Sequence, residues 1–513
     1  MVVVFSCRCV QLLELVTAQC LWISLEGEWP CFLVFPWMSA LPDYELLYSV
    51  SDLHMGPDPA LQPLEAGGLL ARTIERIADQ ERDKTTVLIV NGDIVDFLAR
   101  NTDRTFDPVG TLDELKRVGG TFREVFAAFA SFLKREKSTL VFNLGNHDAE
   151  LGLSRHQTAL RAMVGGGEVR GTLHFSFNPH ASTDEVYQGY ECTVGGRHVR
   201  LAHGNEVDAW NVVSTALVRG AEANLRPTLG LTDDPINAGS ALVVRLMNQV
   251  KREYRFVDLL KPEDKAVIMV LLSLEPSYLL RLGELLKLMP RMVMDSWKIS
   301  WGVLGGNVKP EQLSSEMLAA RMLGSLMMQE MTGEQLIARS WEQRKRTPLQ
   351  VAIEEAESVG GSALLGGVRY PVPGLRQALE VVRRTWEGFE PQTPDDTSRK
   401  MTERYPSENG VLIAGHTHLR RFIPKGRSLY INTGTWMPLI RLDRVLASRD
   451  EFGEFYRRAC LPGPQSLGPY KEPLPTVAMV RAGTGISTAS LCTAHGEGEL
   501  DDHKYRESKE LGS

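Results

Sequence analysis

The chain has 513 residues, with 57 Lys and Arg against 64 Asp and Glu, a formal charge of −7. Hydrophobic residues make up 43% and charged residues 24%, ordinary globular usage that excludes a largely disordered, collagen-like or coiled-coil chain. Net acidity counts against nucleic acid as the default partner, and no apolar run approaches the roughly 20 residues of a transmembrane helix.

The length allows roughly two to four domains, or one large domain carrying an insertion. None of the seven cysteines forms a CxxC pair, so neither a disulfide scaffold nor a thiolate zinc site is indicated. A reducing, cytoplasmic setting is expected, with peripheral membrane contact left open. Residues 1–37 are rich in Cys, Val, Leu and Trp. Arg8 is their sole basic residue, and Glu14 interrupts the apolar stretch, against a signal peptide. Met38 opens a segment that runs straight into a strand, so residues 1–37 are expected to be an unstructured extension or a misassigned start.

From residue 44 a pattern repeats: a short apolar run, then polar residues at its end. Leu46–Val50 leads into Ser51-Asp52-Leu53-His54, and Val87–Val90 into Asn91-Gly92-Asp93-Ile94-Val95-Asp96. Leu140–Phe142 leads into Gly145-Asn146-His147-Asp148, and Val411–Ala414 into Gly415-His416-Thr417-His418. Continuous apolar runs of this length suit strands buried on both faces. Helical segments are expected between the early ones, at 69–82 and 112–136, giving a layered α/β fold. A hairpin is expected at 190–201 around Gly195-Gly196, its second arm ending in Ala202-His203-Gly204-Asn205. In such folds ligands gather beyond the carboxyl ends of strands, so these motifs should meet on one rim.

Asp52, His54, Asp93, Asn146, His203, His416 and His418 supply two carboxylates, an amide oxygen and four imidazoles. That mixed set suits Mn²⁺, Fe or Zn²⁺ rather than Ca²⁺ or Mg²⁺. Seven donors exceed the needs of one ion and fit two ions sharing a carboxylate, the arrangement used in phosphoryl displacement. Any one motif alone is more often a structural turn; the ordered set at strand ends is what carries the reading. His156, His174, His180, His198, His495 and His503 fall outside it and are read as structural or surface residues.

With these residues the sequence resembles the calcineurin-like metallophosphoesterase superfamily, over roughly residues 44–205 and 408–440. The resemblance implies a four-layer α/β/β/α sandwich with two metals at the strand ends. It implies that Asp52, His54 and His418 hold one ion, Asn146, His203 and His416 the other, and that Asp93 bridges. It implies His147 as the acid near the leaving oxygen, Asp148 as the carboxylate orienting it, and a water or hydroxide between the metals as nucleophile. Asp96 is outside this ligand set, with a turn or helix-cap role open to it. The segment Leu429-Tyr430-Ile431-Asn432-Thr433-Gly434-Thr435-Trp436 resembles the UDP-2,3-diacylglucosamine hydrolase-like branch, which cleaves a nucleotide pyrophosphate on a lipid-bearing sugar. The chain departs from that branch at His147, where Arg is usual, and at Asn205, where Asp is common.

His416 lies 213 positions after His203, against separations of 41, 53 and 57 between the earlier motif residues. The excess implies a helical insertion spanning 208–400, placed to cap the rim and select substrate. Helices are expected near 208–223, 240–257, 310–331, 333–357 and 374–387, with a helix start signalled at Lys261–Asp264, a helix with a wide apolar face from Tyr278, and a linker at 389–397. Ten of the 17 methionines fall between Met247 and Met331; a helical core explains them more simply than an acyl-binding groove. The catalytic domain therefore reads as 38–207 plus 401–494, closing on a hairpin near 476–491, with 495–513 a disordered tail. The leading expectation is a dinuclear phosphoesterase acting on a small, nucleotide- or lipid-linked phosphoester or pyrophosphate. A DNA nuclease of the same superfamily and a catalytically silent scaffold are the alternatives, the first opposed by the charge and the second by the complete ligand set.

Overall fold

The computed structural model describes residues 41–512 except 81, 103, 166–168, 181–185, 225–236, 261–269, 272, 275–361, 366–367, 372–373, 386–389, 461–466, 485 and 501–506. Residues 1–37, the helix start at 261–264, the helix from Tyr278, the helices at 310–331 and 333–357 and most of the Met-rich stretch lie outside the described residues.

The fold is mixed α/β. All four apolar runs are strands: Leu46–Val50, Thr86–Asn91, Ser138–Asn143 and Val411–Ala414. The first three lie parallel in one sheet, followed by Thr172–Phe175. On the other side of Leu46–Val50 come the antiparallel strands Thr476–Arg481 and Ile486–His495, the expected closing hairpin. A second sheet has the spatial order Asp43–Tyr44, Tyr190–Val194, Arg197–Leu201, Val411–Ala414, Ser428–Thr433, Arg420–Lys425. Its hairpin turns at Gly195 and Gly196, with φ of +56° and +76°, the conformation that a two-residue hairpin turn needs at both positions.

Strand alternation divides the side chains between layers. Leu47, Val87, Ile89 and Val141 of the first sheet pack against Val199, Leu201, Ile413 and Ile431 of the second. Leu46, Tyr48, Leu88 and Val90 face the other way, onto Leu70, Ile74, Leu115 and Phe129. Those four belong to helices Gly67–Gln80, Gly110–Thr121 and Arg123–Phe132. Behind the second sheet, Leu412, Ala414 and Tyr430 meet Met401 and Tyr405 at helix Asp396–Arg404.

Three expectations need correction. The helix expected over 112–136 is two helices that break at Phe122, just after the poor helix formers Gly119-Gly120. The stretch 389–397, expected to be a linker, ends in a helix start: Asp395 and Ser398 form a capping box for Asp396–Arg404. The charged tail, expected to be disordered, contributes strands Glu499–Leu500 and Glu507–Gly512, both antiparallel to Ile486–His495. An edge strand tolerates charge, and Leu511 supplies an inward side chain, buried in the core between the sheets.

The described parts of 208–400 include helix Thr215–Asn224. A helical run passes from Ala238–Leu242 through a π-helical turn at Val243–Met247 into Asn248–Glu253. Helix Leu375–Thr385 follows later. Leu246, Val250, Phe256 and Leu379 share a separate core with Ile440, Val445, Phe452 and Phe455. Among the described residues, no helix is long and apolar enough to cross a membrane.

Candidate metal centre

The carboxyl ends of the parallel strands deliver the motifs to one place, and two buried asparagines lock the strand ends together. Asn91 and Asn143 are register partners, and Asn143 Nδ2 donates to Asn91 Oδ1 at 2.7 Å. Asn91 Nδ2 donates across to the Ala202 carbonyl of the second sheet at 3.2 Å. The Asn91 carbonyl in turn accepts from His203 Nδ1 at 2.8 Å. That bond leaves Nε2 of His203 as the nitrogen free to ligate, a tautomer set by the partner of the other ring nitrogen.

Four of the expected ligands converge tightly. The ligand atoms of Asp52, His54, Asp93 and His418 all lie within 4.8 Å of one another, and all four residues are buried. His418 Nε2 is 3.2 Å from Asp52 Oδ1, and His54 Nε2 is 3.0 Å from His418 Nε2. His203 Nε2 joins from the other side, 3.2 Å from Asp93 Oδ2. The His416 ring lies 5.5 Å from that of His203, while its backbone N–H donates to Asp52. Asn146 is buried, and among the described residues its Oδ1 has no hydrogen-bond partner. A buried amide oxygen left without a donor is costly, and a cation is the partner it lacks. The donor chemistry of the whole set therefore fits divalent metal.

Backbone strain points to the same residues. Among the described residues, the non-glycine positions with positive φ are Asp52, His54, Asp93, His416 and His418. Each such conformation costs of order 1–3 kcal/mol and persists only where the surroundings impose it, typically at functional sites. Gly92 has φ +84°, and a Cβ there would sit 2.5 Å from His203 Nδ1; the close approach of the two loops requires glycine.

Charge is arranged in opposition. Burial works against ionisation of Asp52, yet His418 and His203 hold its carboxyl down, to about 2. Asp93 is likewise held well below the ordinary range by His203 and His147 against its burial. Burial also disfavours charge on His203, but Asp93 and Asp52 override it and push the imidazole up to about 10. A cation entering this site thus competes with protons held on its own ligands.

His147 does not take the partner that the resemblance implied. Its Nδ1 lies 2.9 Å from Asp96 Oδ1, and its backbone N–H donates to Asp93 Oδ1 at 2.9 Å. Asp96 also approaches His54 Nδ1 at 3.5 Å. The same Asp96 Oδ1 accepts from Leu98 and Ala99 N–H, so its turn role and its contact with His147 coexist. Asp148 instead ties two loops together, accepting from Gly145 N–H and Ile94 N–H at 2.7 Å each. Burial and the neighbouring Asp93 push Asp148 up to about 7.

Three supporting features escaped the sequence reading. Asp208 Oδ2 lies 2.9 Å from His416 Nε2. Burial opposes its charge, but His416, Asn211 and the Trp210 N–H hold it down, to about 2. Glu206 accepts from the backbone N–H groups of His203 and Gly204, shaping the turn that carries His203. Thr435 Oγ1 donates to the Asp52 carbonyl, and Asn432 Nδ2 to the Gly415 carbonyl, so the segment after the fourth motif braces both flanking motifs. Asp208 and Glu206 follow His203 within five residues, but nothing in their spacing sets them apart from ordinary loop acids. Asp96 carried the one usable signal, its position three residues after Asp93.

No curated protein matches the chain. Residues 47–230 match the family model for the calcineurin-like phosphoesterases. That span holds five of the seven expected ligands; His416 and His418 lie beyond it, and the fold brings His418 to Asp52 and His54. The match over residues 47–230 supports a calcineurin-like phosphoesterase domain, which indicates a metal-dependent phosphoric ester hydrolase.

Proposed function

We propose that the chain hydrolyses a phosphoester or pyrophosphate at a centre holding two divalent ions. The unsatisfied Asn146 Oδ1, beside the buried carboxylate–imidazole cluster, is the observation that carries the second ion. Asp52, His54 and His418 would hold one ion, Asn146, His203 and His416 the other, with Asp93 between them. Mn²⁺ is the leading candidate on donor type, with Fe or Zn²⁺ next. Such ions neutralise charge on the phosphoryl oxygens and lower the pKa of bound water.

The chain's own residues do the rest. His147 is placed to give a proton to the leaving oxygen. Asp96 accepts from its Nδ1 and so keeps Nε2 as the working nitrogen. The layer packing supports a four-layer α/β/β/α sandwich, and the described helices of 208–400 support an inserted cap bordering the site. The branch resembling UDP-2,3-diacylglucosamine hydrolase, with a nucleotide- or lipid-linked pyrophosphate as substrate, is the finer reading. Mn²⁺-dependent hydrolysis of a phosphodiester, a phosphomonoester and a UDP-sugar pyrophosphate, compared side by side, tests it. Turnover of the pyrophosphate above the other two supports the branch; turnover confined to a monoester contradicts it; no turnover of any by metal-loaded protein contradicts the phosphoesterase reading.

Asp208 adds a prediction. By accepting from His416 Nε2 it leaves Nδ1 as the ring nitrogen able to ligate. In Asp208→Asn, Oδ1 can still accept from Trp210 N–H, but an amide NH₂ then faces His416 Nε2 and favours the tautomer protonated at Nδ1. Loss of such an outer carboxylate costs about 10- to 100-fold in metal affinity. Calorimetric Mn²⁺ titration should show one of two sites weakened by that factor and the other unchanged. Two unchanged sites would remove Asp208 from the account.

A further inference from the structure

A half-open cavity of about 360 Å³ lies between the loop that follows Asp96 and the helical run around Met247, with Arg100, Thr102, Arg245, Asn248 and Arg252 in its wall. The wall is held in place by side chains. Asn248 Nδ2 donates to the carbonyls of Leu98 and Arg100, at 2.6 and 3.1 Å, and so joins the helix to the loop. Arg100 is buried and fixed by Asp107 and Glu114, at 3.3 and 3.5 Å. Arg252 is tied to Asp58 at 2.6 Å.

Among the described residues, three groups in this wall lack partners. The Asn248 side chain is buried, and its Oδ1 accepts no hydrogen bond. Arg100 Nε is buried without an acceptor. Arg245 is half-buried, and among the described residues it pairs with no carboxylate. It sits on the π-helical turn Val243–Met247. Single π turns inside α-helices are uncommon and recur at functional sites.

The loop that supplies Arg100 and Thr102 to this wall leads back to the catalytic rim. In that loop the Leu98 and Ala99 N–H groups bind Asp96 Oδ1, the oxygen that faces His147. Asp58, which anchors Arg252, follows His54 by four residues.

The unmatched groups specify a ligand. Guanidinium donors call for an anionic oxygen, and phosphate suits their planar fork. A buried amide acceptor calls for a hydroxyl or N–H. We propose that this cavity seats the non-scissile part of the substrate, a phosphate-bearing polyol, with Arg245 on the phosphate and Asn248 accepting from a hydroxyl. The assignment rests on the phosphoesterase reading for the word substrate, but the binding site does not.

Glucose 6-phosphate is a suitable probe, titrated calorimetrically into the full chain, with inorganic phosphate and glucose as comparisons. The proposal predicts that glucose 6-phosphate binds more tightly than either. Arg245→Ala should weaken it about 10- to 100-fold, the worth of a hydrogen bond to a charged group, and Arg245→Lys should fall between. Asp93→Asn should retain this binding, which separates the cavity from the metal centre and keeps the readout independent of turnover. Glucose 6-phosphate should also raise the apparent KM for a simple diester while leaving kcat unchanged. Binding no tighter than inorganic phosphate, or binding unaffected in Arg245→Ala, overturns the site. Inhibition that lowers kcat alone overturns its assignment to the substrate.

Discussion

Asp93→Asn should abolish turnover, by roughly 10³-fold or more. A metal centre stabilises the transition state by several kcal/mol, and each 1.36 kcal/mol is a factor of ten. In the proposed two-ion centre Asp93 is the bridging residue: Oδ2 lies 3.2 Å from His203 Nε2 and 3.6 Å from His54 Nε2, while Oδ1 accepts from His147 N–H. The asparagine retains an oxygen for that backbone bond, so the loop should survive while the charge is lost. Metal that binds only the folded chain stabilises it, by about 2.7 kcal/mol at a hundredfold excess over Kd. Mn²⁺ should therefore raise the Tm of the wild type far more than that of Asp93→Asn. Equal stabilisation of both would show that Asp93 is not a ligand.

The second large effect separates proton transfer from metal binding. His147→Ala should lower kcat about 10²- to 10⁴-fold, the usual worth of a positioned acid, with Mn²⁺ stabilisation retained. Asp96→Asn should lower kcat as well, because it removes the charge beside His147 Nδ1 but keeps an oxygen for Leu98 and Ala99 N–H. Asp148→Asn should behave in the opposite way. Each Asp148 oxygen accepts a different backbone N–H, and an amide supplies only one oxygen. One buried donor is then stranded, at a cost of about 1–3 kcal/mol in stability, with kcat in the surviving folded protein much less affected. If Asp148→Asn lost kcat and Asp96→Asn did not, Asp148 would regain the role that the family resemblance gave it.

These contrasts also show how far the sequence could be read. The strands were legible because burial on both faces leaves unbroken apolar runs, and Leu46–Val50 and Val411–Ala414 match their expected limits. The expected ligands stood out because each follows such a run with a polar residue. Asp208 was not legible, since its meaning comes from lying opposite His416, which is 208 positions further along. The contact of His147 with Asp96 was not legible for a related reason. Asp148 is adjacent in sequence, but its carboxylate turns back to Gly145 and Ile94, while Asp96 arrives from the neighbouring strand end. The strand Glu507–Gly512 was hidden because an edge strand needs little hydrophobicity, and its pairing with Ile486–Leu491 is a property of the sheet.

Anomalous diffraction from crystals of the full chain grown with Mn²⁺ tests the central claim most directly. Two peaks are expected, one among Asp52, His54 and His418 and one among Asn146, His203 and His416, with Asp93 reaching both. A single peak, or none at these residues, would contradict it.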